Sequence, residues 1–573
     1  MTDRSMPRQR LLVLCWLLAI LLGLLTTWRA FYDLIDPDSI AYLEMGEAFL
    51  RRDWPMAINA YWSPLYPWLL AVALYVLHPP LAWHFAIVPL VDFAVYLGML
   101  GCFHFFVHGV LRLHRAKRAA CAHSQAVLLP EWAVVVIAYT LFLWISFDWL
   151  GSLVLPADRC VAACVYMAAG LLLRMRSASR PWWTYILFGV VLGGGYLAKA
   201  AMLPLALPFL ASSLFLDGPF RRQVVRGLAA CIAFLVIASP WMLALSHAKG
   251  YLTFGLAGKL NYAWMVNGVT RHIHWQGEPS GSGTPRHPTR KIFERPAMYE
   301  FATPIGGSYP PWYDPTYWYE GLTIDFDLKE QIQAVIRNLG VFLRISSFAQ
   351  GGLLTGFLLL FMMTGTPWHH VKDIVSQWSI LVPAMVALSM YALVRIEARY
   401  VAPFVLLFWI GLASSVRLKN TSESQRFVAC VTLAMLLPML GTIGVLAAEK
   451  GYSALRYSIR KDSPAHIQGA VAEFLYHIGV QPGDKVASIG RTFDANWAYL
   501  TQVQIVAEIP RRDANDFWAA NDALQSQVLR TFGKTGAKLI VADRVPSFAA
   551  PLDWERIGNT GYYVYVLPAP VTD

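Results

Sequence analysis

The run LLVLCWLLAILLGLLTTWRA, Leu11 to Ala30, is followed five residues later by DPDSIAYLEM, Asp36 to Met45. The run has no charge until Arg29 and is long enough to cross the roughly 30 Å apolar core of a bilayer. Asp36 and Asp38 therefore fall at the membrane–water boundary on the side opposite the N-terminus. There a carboxylate stays hydrated and ionised, yet can touch a lipid head group. That placement suits chemistry on a lipid-borne substrate.

Composition points the same way. Of 573 residues, 57% are hydrophobic and 14% charged, against about one quarter charged in soluble domains. A polytopic membrane protein is expected. The 22 tryptophans and 26 tyrosines fit interfacial belts and sugar-stacking surfaces. The net charge of +11 resides in short basic clusters between apolar runs. These read as topology signals and contacts to anionic membrane lipids, so no nucleic-acid partner is expected. The seven cysteines lie in or beside apolar segments without metal or disulfide spacing. The first run is too long for a signal-peptide core and lacks a small-residue cleavage site, so it is expected to stay as an anchor.

Further apolar runs lie near 83–108, 131–152, 158–174, 182–198, 201–216, 225–247, 339–363, 374–395, 400–416 and 427–447, about eleven spans in all. The clusters Arg4/Arg8/Arg10, Arg112 to Arg118, Arg174 to Arg180, Arg221 to Arg226, Lys372, and Arg417 to Arg426 fall on alternate loops only if Pro64 to Leu77 does not span. That segment carries two prolines and covers roughly 22 Å, so it reads as a juxtamembrane or re-entrant helix. The N-terminus is then cytoplasmic and the C-terminus outside. The fold expected is mainly α, a transmembrane bundle over 1–448 with outer loops at 31–82 and 248–338. A small extracytoplasmic α/β domain follows over 449–573. In that tail, Ser463-Pro464 opens a helix that Gly479 stops, and 484–489, 503–509, 537–542 and 562–567 read as strands, with a helix around 517–532 between the second and third.

Asp38 and Asp36 have a plain alternative role, capping a following helix that carries Tyr42 and Met45. The same loop continues Trp62-Ser63-Pro64-Leu65-Tyr66-Pro67-Trp68. An acidic residue four before a tyrosine, then a Pro-Leu-aromatic segment, resembles the GT-C superfamily of integral-membrane glycosyltransferases. Closest are the bacterial branch similar to protein O-mannosyltransferases, lipid A aminoarabinose transferases and Rgt-type lipopolysaccharide transferases. The resemblance covers about 11–416, is strongest over 36–70 and is weak in the tail. It implies a bacterial inner-membrane enzyme and assigns the catalytic base to Asp38. Many relatives carry lysine or histidine just before the Pro-Leu pair, and this chain departs from that pattern with Ser63 at the position of a donor-phosphate contact.

A sugar on a polyprenyl monophosphate leaves as a stable phosphate, so no general acid is required. The acceptor hydroxyl still needs a base, which one ionised Asp can supply, while cations beside the phosphate stabilise the leaving group. Arg395-Ile396-Glu397-Ala398-Arg399-Tyr400 resembles the Glu-x-Arg-Tyr element of GT-C relatives. Arg399 is the first candidate for the donor phosphate, since a guanidinium pairs two phosphate oxygens; an interfacial Arg–Tyr anchor is the alternative. Lys199, after Gly193-Gly194-Gly195, is either a second phosphate cation or a snorkelling lysine. Asp158 is a second carboxylate or a turn cap. Asp92 and Asp148 receive no role.

Tyr42, Tyr262, Trp264, Trp275, Trp312 and Tyr313, with Glu397, are candidates for sugar or acceptor contact; packing on a membrane surface is the alternative for the loop aromatics. His272 and His274 lack a third ligand at metal spacing. No cofactor is expected, although the Asp36-Pro37-Asp38 triplet leaves a divalent metal as an alternative. The function expected is transfer of a hexose or pentose, with inversion, from a polyprenyl-phosphate donor to a lipid, polysaccharide or protein acceptor. Rival readings are a flippase for lipid-linked glycans, hinted at by the glycine triplet, and an inert scaffold with a glycan-binding tail.

Overall fold

The computed structural model describes residues 8–120, 126–151, 156–176, 181–216, 218–271, 274–302, 304–346, 349–362, 367–419, 421–546 and 553–568. Arg4, Cys121, Arg180 and His272 lie outside the described residues. Two compact units result, each built from three separated stretches. One comprises Met1–Arg29, Leu90–Phe254 and Phe326–Ser453, and the other Ala30–Pro89, Gly255–Asp325 and Ala454–Asp573.

The first unit is helical. Among the described residues of the whole chain, six helical stretches are long and apolar enough to cross a membrane. Shorter apolar helices occupy Leu65–Leu77, Trp182–Ala198, Met202–Leu214, Trp378–Val394 and Ala398–Ala413. Eleven crossings would need a bent pair and four of these shorter helices to cross as well. The span expected over 339–363 is not one helix. Leu328–Ser346 and Gln350–Met362 meet at 81°. The reason is amphipathic: Leu328, Ile332, Ile336, Leu339 and Leu343 form an exposed stripe, while Asn338 is buried and donates to the Ala392 carbonyl at 2.9 Å. A helix with one apolar face suits an interface better than a bilayer centre.

The glycine triplet also has a packing explanation. The helix Trp182–Ala198 runs through it unbroken. A Cβ at Gly193 would lie 2.7 Å from Ile237 Cβ, and one at Gly189 2.0 Å from the Ala230 carbonyl oxygen. Small residues let these two helices approach closely, so the triplet does not mark a broken transporter helix.

The second unit is built on a mixed sheet. Its strands are β1 (Arg290–Phe293), β2 (Met298–Glu300), β3 (Lys485–Gly490), β4 (Gln504–Pro510), β5 (Leu539–Asp543), β6 (Glu555–Arg556) and β7 (Tyr562–Val566). The spatial order is β1-β2-β4-β3-β5-β7-β6, with β3 parallel to both β4 and β5 and the outer pairings antiparallel. All four tail strands expected from the sequence are present.

The long loop over 248–338 adds β1 and β2, pairing Tyr299 with Glu508 and Glu300 with Ala507. The loop and the tail thus share one sheet. The division expected at 448/449 falls inside the helix Ser422–Arg460. Alternation along the strands separates two cores. Val486, Ile505 and Val541 face one, and Ala487, Ile489 and Ile540 the other, as a sheet buried on both faces requires. The single helix expected at 517–532 is two, Arg511–Trp518 and Asp522–Gly533. The Asn521 side chain caps the second by accepting from Leu524 N at 2.9 Å.

Candidate functional site

The expected site residues fall into two groups, one in each unit. In the second unit Asp36 is the N-cap of helix Pro37–Arg51, with Pro37 opening the first turn and Asp38 inside it. The Asp36 carboxylate accepts from Asp38 N at 2.8 Å, so one of the two acids serves the backbone. The Asp38 side chain accepts from the Trp312 indole N–H at 3.1 Å.

Several segments fix this geometry. The Asn59 side chain donates to the Tyr313 carbonyl at 2.6 Å, and the Trp62 indole donates to the same oxygen at 3.1 Å. The Tyr313 hydroxyl donates to the Met56 carbonyl at 2.6 Å. Just before the helix, the Asn496 amide of the tail both accepts from Ile35 N, at 2.8 Å, and donates to Ile35 O, at 3.0 Å. Rings close the surroundings: Phe493 lies 5.1 Å and Trp62 5.6 Å from Trp312, and Tyr42 lies 5.3 Å from Trp62.

The other aromatics sort differently. Trp264 lies 6.0 Å from Tyr61 and 5.4 Å from Tyr319. Trp275 is 1% exposed, stacks on Tyr319 and donates its indole N–H to Ser282 and the Glu278 carbonyl. That is the environment of a core residue. Tyr262 is half-buried on helix Ala257–Met265.

His274 belongs to a buried polar network. It lies between Thr289 at 2.9 Å and Glu508 at 2.7 Å, and Tyr309 also donates to Glu508. Among the described residues, no group of three or more His, Cys, Asp or Glu could hold a metal.

In the first unit, helix ends gather Asp158, Lys199, Glu397 and Arg399 with two more residues of the segment quoted from the sequence, Arg395 and Tyr400. Lys199 ends helix Trp182–Ala198 and Arg395 ends Trp378–Val394, both in extended backbone, while Glu397 precedes Ala398–Ala413. Cations at carboxyl ends and an acid at an amino end each complement the helix dipole.

Asp158 is 4% exposed and pairs with Lys199 at 2.5 Å. Arg399 Nε reaches Glu397 at 2.6 Å and the second Asp158 oxygen at 3.7 Å. Arg395 also pairs with Glu397. The Lys199 ammonium lies 4.0 Å from the centre of the Tyr400 ring. Arg399 and Glu397 line an open cleft of about 440 Å³ with Asp148, Trp149, Ile345 and Ala398. Three cations share two carboxylates here, so an anion of two charges could replace either carboxylate as a partner. Asp148, given no role from the sequence, joins the cleft from a π-helical turn, Ile145–Trp149, at the end of an apolar helix. An ionisable residue in so apolar a run was the signal that could have found it.

The sequence matches no protein-family model and no curated protein. Solved structures do resemble the chain. ArnT from Cupriavidus metallidurans bound to undecaprenyl phosphate has a TM-score of 0.54 at 13% identity, with 98% of each chain covered. The same protein in the apo state has a TM-score of 0.49 at 12% identity, over 97% of this chain and 98% of that one. The Archaeoglobus fulgidus oligosaccharyltransferase tethered with an acceptor peptide has a TM-score of 0.46 at 11% identity, over 92% of this chain and 69% of that one. These neighbours are GT-C membrane glycosyltransferases. The likeness to ArnT over the whole chain is one of fold.

Proposed function

We propose that the chain is a membrane glycosyltransferase moving a sugar from a polyprenyl-phosphate donor to an extracytoplasmic lipid, polysaccharide or protein acceptor, with inversion. The observation that carries this reading is the convergence of Lys199, Arg395 and Arg399 on Asp158 and Glu397 at the rim of an open cleft. Residues up to 200 apart in sequence supply three cations at helix ends, a demand that a phosphate ligand explains and a lipid anchor does not. The fold shared with ArnT, a protein seen with undecaprenyl phosphate, supports the same donor class.

In the reaction proposed, Arg399 and Lys199 hold the phosphate. The bond from the sugar's anomeric carbon to the phosphate oxygen breaks, and both electrons leave with polyprenyl phosphate. The acceptor oxygen bonds to the opposite face of that carbon, and its proton passes to Asp38. The Trp312 N–H orients the carboxylate without neutralising it, since an indole donates but carries no charge. Tyr42, Trp312 and Tyr313 then form the aromatic surroundings of the base, and Glu397 holds Arg399. The N-terminus would lie in the cytoplasm of a bacterial inner membrane, with 31–82, 248–338 and the tail outside.

Mass spectrometry of surface glycans from cells with and without the chain tests the proposal. A difference of one sugar residue is expected, and the fraction carrying it names the acceptor class. Identical glycans in every fraction, together with movement of the donor lipid across liposomes, would favour a flippase instead.

A further inference from the structure

Glu44 follows Asp38 on the helix Pro37–Arg51. One of its carboxylate oxygens accepts twice from Ser308, from the backbone N–H at 2.6 Å and from the hydroxyl at 2.5 Å. Ser308 begins the short approach to Pro310–Tyr313, the turn that carries Trp312. Its own carbonyl accepts from Ile505 N of β4 at 3.0 Å. The chain can come this close because Gly307 has φ +87 and no side chain. A Cβ there would stand 2.8 Å from the other Glu44 oxygen and 2.9 Å from Tyr313 Cγ.

From this arrangement, and resting on the reading of Asp38 as the base, we infer that Glu44 is a positioning residue. It clamps the Gly307–Trp312 turn so that Trp312 meets Asp38.

The clamp sits among charged and titratable groups that pull in both directions, Glu47 against the Glu44 charge and Arg51 for it. Glu47 and Arg51 flank Glu44 on its own helix, Tyr313 faces it from the turn, and Tyr499 faces it from the tail. Beyond them, Asp53 lies near Tyr313 and His84 holds Glu47. Burial pushes the Glu44 carboxyl from its ordinary 4.5 up to about 7, against the opposing pull of the Ser308 hydrogen bonds. A group that binds its proton more tightly when clamped than when solvated favours release of the turn as pH rises. The clamped state therefore weakens as pH rises from about 4.5 towards about 7 and stays weak above it.

Hydrogen–deuterium exchange on the full-length protein in lipid nanodiscs tests this on peptides covering Gly307 to Trp312. After correction for intrinsic exchange, wild-type protection should fall on the order of tenfold between about pH 6 and about pH 8.5. Glu44→Gln, which keeps an acceptor oxygen but cannot ionise, should hold its protection level across that range. Ser308→Ala should lower protection at both ends. Transfer from a polyprenyl-phosphate sugar should lose its alkaline decline in Glu44→Gln, with acceptor KM unchanged. Wild-type protection independent of pH, or a decline that Glu44→Gln retains, overturns the inference. Absence of transfer at every pH would instead sink the reading of Asp38, while the exchange measurement still decides the clamp.

Discussion

The two candidate regions handle ionisable groups in opposite ways. In the helical unit, Asp158 and Glu397 are saturated with charge, each meeting two cations. In the other unit Asp38 is met by a neutral indole N–H inside a ring of aromatic side chains. A carboxylate among cations is a poor base but a replaceable partner, because an incoming phosphate can take its cations. On the proposed reading anion binding belongs to one region and proton removal to the other, so each should fail in its own kinetic parameter.

The largest effect expected is on the base. Asp38→Asn should lower kcat by about a thousandfold while leaving donor affinity within a factor of two or so, both read in one transfer and binding series. If donor affinity fell as far as rate, the division of labour would be wrong. Arg399→Ala should raise donor KM by roughly ten- to a hundredfold, the worth of a charge-assisted hydrogen bond pair. Arg399→Lys should recover only part of that, because an ammonium cannot fork.

Trp312→Phe keeps the ring and removes the N–H. It should cost kcat about tenfold, the net worth of one hydrogen bond, with donor KM unmoved. The smallest effect concerns stability. Glu44 holds its proton more tightly in the folded protein, about 7 against an ordinary 4.5, so its contribution to stability is present below about 4.5. That contribution declines as pH climbs to about 7 and stays lost above. Glu44→Gln should therefore raise Tm near pH 8 and change it little near pH 5, measured by thermal unfolding in detergent.

How much of this was legible depends on the range of the signal. Apolar runs, helix ends and strand alternation are local, so the spans around Leu11–Ala30 and Phe220–Lys249 and the four tail strands could be read directly. Charged residues at the ends of apolar helices were legible too. Lys199, Asp158 and Arg399 were chosen one at a time, and the fold brings them together.

What stayed hidden is pairing across long separations. Trp312 lies 274 residues from Asp38, and Ser308 lies 264 from Glu44; no periodicity encodes either contact. The short strands Arg290–Phe293 and Met298–Glu300 show no apolar alternation and gain their place by pairing with each other and, through Met298–Glu300, with β4. The bend at 81° was missed because the apolar count over 339–363 hides the one-sided distribution of Leu328–Ser346.

The anomeric configuration of the transferred sugar tests the central claim most directly. A single carboxylate removing the acceptor's proton, without covalent capture of the sugar, predicts a product of configuration opposite to that of the polyprenyl-phosphate donor, read by NMR of the isolated glycan. A product of the same configuration would demand a nucleophile and a second step, and would contradict the role given to Asp38.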